Sequence, residues 1–192
     1  AIQADKLLNK NHDILLLDVN PISLGIETMG GIFERIIERN TTIPTSKGQN
    51  FSTFKDGQTS LAVNVYQGER EMVGDCKLLG KLILNGIPAM PAGMPKIQIS
   101  FMLDENSISK VKAVEQTTGI EQEATIKSEL SDEDSLQMLK DSIFNAKDDI
   151  HQREFMKSKV ELQQVVQASR NLLNSQKLPQ TEYDKLLAYV VA

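Results

Sequence analysis

Few residues in this chain could carry nucleophilic or metal chemistry. There is one cysteine, Cys76, and there are two histidines, His12 and His151, far apart in sequence. A structural zinc site takes four Cys or His ligands in short paired spacings, which this set does not reach. Cys76 has no His nearby in sequence and reads as a structural thiol rather than a nucleophile. Two acidic runs remain. Asp132-Glu133-Asp134 follows Ser131, which reads as a helix N-cap with an acid three residues on, placing anions at the positive helix end. Asp148-Asp149 reads as a solvated helix face. There is no Gly-rich phosphate loop and no Ser/His/Asp constellation, so the chain reads as a binding module rather than a catalyst.

Composition narrows the kind of binding. With 40% hydrophobic and 24% charged residues in 192, the chain belongs among globular sequences. Its net charge of −5 gives no basic footprint for nucleic acid. No apolar stretch approaches the length of a membrane span, and no signal-peptide pattern is present. A single cysteine excludes an internal disulfide framework and fits a reducing compartment.

The elements divide by period. From Ile14 to Lys127 the signal is β. Ile97, Ile99, Phe101 and Leu103 alternate with Lys96, Gln98 and Ser100; Leu61, Val63 and Val65 alternate with Ala62, Asn64 and Tyr66. Such alternation predicts strands with one buried face, and Leu78, Gly80, Leu82 and Leu84 suggest another. Turn signals fall at Lys55-Asp56-Gly57-Gln58, Asp104 to Ser107 and Thr117-Thr118-Gly119. Pro88, Pro91 and Pro95 exclude a central strand between Ile87 and Pro95. Short strands at regular spacing predict an antiparallel β-sandwich. From Ser131 the period becomes helical. Leu136, Leu139, Ile143, Ala146 and Ile150, then Phe155, Leu162, Val165, Val166, Leu172 and Leu173, form an apolar stripe expected to pack on partner helices and on the sandwich. One long helix or a helix pair is expected to Lys177, with a restart over 181–191.

Asp13-Ile14-Leu15-Leu16-Leu17-Asp18-Val19-Asn20-Pro21, running into Ile22 to Gly31, resembles the interdomain linker and first substrate-binding strands of the DnaK-type 70-kDa heat-shock chaperones. Asn40-Thr41-Thr42-Ile43-Pro44, Gln67-Gly68-Glu69-Arg70 and Gly93-Met94-Pro95 resemble that family's signatures as well. The resemblance implies a fragment of a longer protein: a remnant of the last ATPase-domain helix at 1–12, a linker at 13–18, a β-sandwich substrate-binding domain at 19–128 and a truncated helical lid at 129–192. It implies an extended apolar peptide held by Ile26, Thr28, Met29, Ile32, Phe51, Phe54, Gln58, Leu61, Val63 and Ile97. Met29 and Phe54 would arch over the peptide backbone. Leu15, Leu16, Leu17 and Asp18 would couple the groove to the ATPase domain, where ATP and Mg bind in the full-length protein. Without that resemblance, Leu61, Val63 and Ile97 read as plain core and the leucines as a first strand.

Departures from DnaK point to a subfamily. Ala92 stands where DnaK has a lid-tying arginine, and Gln163 and Gln167 stand where its acid and histidine partners fall. Asp56 alone of that latch is kept, which predicts a weakly held lid. Thr53 to Thr59, Asp75-Cys76 and Gly86 to Gly93 resemble the HscA chaperones of iron–sulfur cluster assembly. These imply a proline-containing motif on a scaffold protein as client, a J-domain co-chaperone and a bacterial cytoplasmic setting. A general DnaK-like chaperone and a structural sandwich with an oligomerising helix are the alternatives, and self-association of the fragment is compatible with each.

Overall fold

The computed structural model describes residues 18–104, 108–128 and 130–174. Leu15, Leu16 and Leu17, the stretch 1–12 and the helical restart over 181–191 lie outside the described residues.

Strands occupy the chain from Asp18 to Lys127: β1 (Asp18–Val19), β2 (Leu24–Thr28), β3 (Ile32–Ile37), β4 (Thr42–Ile43), β5 (Thr45–Phe51), β6 (Ser60–Gln67), β7 (Lys77–Asn85), β8 (Ile97–Leu103), β9 (Ile108–Glu115) and β10 (Glu121–Lys127). They form two four-stranded antiparallel sheets, ordered β3-β2-β6-β7 and β10-β9-β8-β5, with β1 and β4 as a separate ribbon. Asp18, expected in the linker, thus opens a short exposed strand whose Val19 pairs with Thr42.

The period-two alternation explains the layering. Ile97, Ile99, Phe101 and Leu103 of β8 turn inward and meet Ile26, Val63, Val65, Leu82 and Leu84 of the other sheet in one buried cluster. One side chain departs from the alternation. Leu78 is exposed because β6 and β7 slip register between Val65 and Tyr66, so Tyr66 faces Leu78 and the half-buried Leu79 joins the core instead. The β9–β10 turn closes on Glu115, which is buried and accepts hydrogen bonds from the Thr117 and Thr118 amides and the Thr118 hydroxyl. Those bonds, the Thr118 hydroxyl first, hold its carboxyl below the usual range.

Two helices follow, α1 (Asp132–Phe144) and α2 (Ala146–Asn174). Ser131 caps α1 as expected: its hydroxyl accepts from the Asp134 amide, and the Asp134 carboxylate accepts from the Ser131 amide. The helix pair docks differently from the expectation, however. Ile143, Phe144, Ile150, Phe155, Leu162 and Val165 are exposed among the described residues. The face of α2 turned to the sandwich is a polar one, starting at Asp149. Asp149 was expected on a solvated face, yet it is buried and takes a two-pronged hydrogen bond from Arg70, with Nε to Oδ2 at 2.6 Å and Nη2 to Oδ1 at 2.8 Å. Asp148 beside it is exposed. Arg153, one turn on, reaches Glu71 at 2.6 Å and Glu34 at 3.1 Å. The sandwich rim beneath α2 carries Arg70, Glu71 and Glu34, so Asp149 and Arg153 dock on it, while Ile150, Phe155 and Val165 stay exposed and Leu173 near the end of the helix is buried.

Candidate functional site

The motif at 67–70 folds into a clasp at the end of β6, where Ser23 and α2 meet it. Gln67-Gly68-Glu69-Arg70 leaves β6 with every member engaged. The Gln67 side chain accepts from the Ser128 hydroxyl, and the Gly68 amide donates to Ser23 O. Glu69 accepts from the Ser23 amide at 2.7 Å, while Arg70 holds Asp149 of α2. Gly68 has to be glycine, because a Cβ there would press on Cys76. Cys76 is packed in that corner, and burial pushes its thiol up to about 11, which agrees with a structural rather than a reactive cysteine.

Between this clasp and the β5–β6 connection lies a cavity of about 1180 Å³. Both sheets and the lid contribute to it. Ile26 and Thr28 come from β2, Met29 from the turn, Ile32 from β3, Phe51 from β5, Phe54 and Gln58 from the connection, and Leu61 and Val63 from β6. Arg153, Lys157 and Val160 of α2 form the roof. The structure therefore brings together all the residues singled out from sequence except Ile97. Ile97 is fully buried and does not line the cavity; Ile99, two residues along the same inward face of β8, does.

Local hydrogen bonds shape the rim. The Thr28 hydroxyl donates to Ile32 O at 3.2 Å and ties the turn that carries Met29. In that turn Gly30 and Gly31 adopt positive φ, and a side chain at Gly30 would press on Val160 and Met156 of α2. Gln58 donates to Ser60 O and accepts from the Lys55 amide, so its amide is committed to holding its own turn. Ser52 donates to Pro95 O and the Gly93 amide to Thr53 O, fastening the Pro-rich loop beside the cavity mouth. Met29 and Phe54 also line a second cavity on the far side, so they stand at the boundary between the two, where an arch was expected.

The distal latch is rebuilt rather than missing. Asp56 accepts from the Ala92 amide at 2.8 Å and from the Asn171 side chain at 2.6 Å. Gln167 does not touch Asp56 but donates to Asn171. Asn171, Arg153 and Asp149 hold α2 to the sandwich and are not singled out by the sequence in that role. The available signal is their helical spacing on one face of α2 with Met156 and Val160.

Sequence relatives give the family. A family model described as Hsp70 protein matches residues 1–190. Chaperone protein HscA of Photorhabdus laumondii is 48% identical over 177 residues, covering 90% of this chain and 29% of that protein. The HscA homologue of Pasteurella multocida is 48% identical over 179 residues, covering 91% and 29%. That of Shewanella woodyi is 46% identical over 189 residues, covering 96% and 30%. The chain spans under a third of the length of these relatives. With the two-sheet sandwich, the groove at its end and the helices across it, these matches place the chain in the Hsp70 family, as an HscA-like member.

Proposed function

We propose that this chain is the client-binding part of an ATP-dependent chaperone, holding an extended apolar peptide segment in the cavity between β2, β5 and β6. The observation that carries the reading is the composition of that cavity: Ile26, Phe51, Leu61 and Val63 converge on one space, with Met29 and Phe54 at its boundary. A single aliphatic guest buried there gains about 1.5–3 kcal/mol. The guest's backbone groups can pair with the strand edges and turns of the rim, and methionine adapts to varied guests.

In the whole protein, nucleotide bound in the ATPase domain would shift α1 and α2 between seated and released positions, with Leu15, Leu16, Leu17 and Asp18 as the coupling segment. ATP and Mg belong to that domain, not to the residues described here. Coupling of this kind is reciprocal, so client binding favours the same nucleotide state that traps the client. The HscA-like stretches support an iron–sulfur scaffold protein as client and a J-domain protein as partner.

Fluorescence anisotropy of two labelled peptides tests this reading. One is a Leu-Pro-Pro-type scaffold peptide and the other a generic Leu/Arg-rich peptide. The first should bind more tightly, and Leu61→Phe should weaken it at least tenfold, about 1.4 kcal/mol. Equal affinity for both would favour a general DnaK-like chaperone. Binding of neither by the folded chain would remove the groove reading.

A further inference from the structure

A further cavity adjoins the first at Met29 and Phe54. This second cavity of about 1450 Å³ starts at residues it shares with the first, Met29, Ser52, Phe54 and Lys55, and runs under the distal half of α2 to Pro91, Ala92 and Gly93. Its volume exceeds the roughly 300–1,000 Å³ typical of small-molecule pockets and suits a length of chain. Leu162 and Val166 of α2 roof it, with the neutral amides of Gln163 and Gln167. The charged residues at its border are Lys55, Asp56 and Arg170, and Asp56 is already engaged by the Ala92 amide and by Asn171. Beside it Thr53, 4% exposed, has a hydroxyl with no partner among the described residues.

An extended chain advances about 3.3 Å per residue. A client held by its backbone in the first cavity therefore carries its next residues through the shared boundary into the second. We propose that this second compartment is a flank subsite, which takes a few small or apolar uncharged residues of the same client and is roofed by α2 itself. The proposal rests on the peptide-groove reading above. Gln163 and Gln167 offer amide donors and acceptors to a passing peptide backbone, while a charged flank would lose hydration against Leu162, Val166 and Pro91. The absence of a side chain beyond Cβ at Ala92 leaves the passage open. In this arrangement the lid contacts the client and contributes to its choice as well as to its retention.

Anisotropy on the whole chain tests the subsite as a ratio of affinities. A core peptide filling the central pocket is compared with the same peptide extended by Ala-Pro-Val at its N-terminal end, at its C-terminal end, and with Asp in place of Val. One of the two neutral extensions should tighten binding at least fivefold, and its Asp version should not. In Ala92→Trp, at an exposed loop position, and in Val166→Asp, on the roof, that ratio should fall to about one. No gain at either end, or a gain that persists in both variants, overturns the flank subsite while leaving the groove reading intact. Failure of the core peptide itself to bind overturns both.

Discussion

At Gly25 the backbone leaves no room for a side chain. A Cβ there would collide with the Glu34 carbonyl and the Phe33 ring, at the point where β2 and β3 shift register. Gly25→Ala should therefore destabilise the sandwich by about 1–3 kcal/mol, read as a lowered midpoint in urea. Ala at Gly57, where nothing stands within reach, is strained only by its φ of 67° and should cost less. Cys76 gives a second check at this scale. With its thiol pushed up to about 11, little thiolate exists at pH 8, and burial restricts access further. Alkylation by iodoacetamide at pH 8 should be at least tenfold slower in the native chain than in the urea-unfolded chain. Equal rates would show that the corner around Gly68 is open.

Among the elements, α2 depends on Asp149. Its carboxyl is held below the usual range, first by the hydrogen bond from Arg70, against the opposing effect of burial. A group whose folded value lies below its unfolded value of about 3.9 stabilises fully above that unfolded value, and the contribution is lost as pH falls through the folded one. Seating of α2 should thus be flat with pH near neutrality and loosen below about pH 4, followed by a distance label on α2 against one on the sandwich. A step near pH 6–7 would point to another group. Asp149→Ala leaves Arg70 with the more distant Asp75, 3.6 Å away, and the field of Asp141 among the described residues, and should weaken docking by about 3–5 kcal/mol. The paired change Arg70→Met with Asp149→Leu should recover much of that loss.

The same helix shows where sequence was legible. The strands β6 and β8 and the Ser131 cap were readable because period two and capping chemistry are local. The residues that line the first cavity sit on those strands and on turns with strong Gly and Pro signals. Ile97 and Ile99 share one inward face, and alternation alone does not say which of the two lines the cavity. The docking face of α2 was misread because burial was assigned to its aliphatic stripe. The surface it meets carries Arg70, Glu71 and Glu34, and that complementarity exists only once β3 and the β6 exit lie side by side, far apart in sequence.

For the whole molecule, the outward stripe has a consequence in solution. Phe144, Ile143, Phe155, Leu162 and Val165 are more than half exposed among the described residues, which is a surface prone to association. Sedimentation should show concentration-dependent assembly that Phe155→Glu with Val165→Glu reduces. Assembly unchanged by that pair would assign it to another surface, such as the groove.

Glu71 is shared by two cations. Arg35 takes Oε1, while Arg153 takes Oε2 and also reaches Glu34. Both Glu34 and Arg153 line the first cavity. In the cycle proposed above, α2 lifts, carries Arg153 away and leaves Glu34 at the mouth without that counter-ion. The receptive groove is then more negative than the closed one. Cationic clients should arrive faster than neutral ones of equal affinity, with an advantage that fades as salt rises. Once the helix returns, Arg153 cancels that charge, so attraction during capture need not slow release.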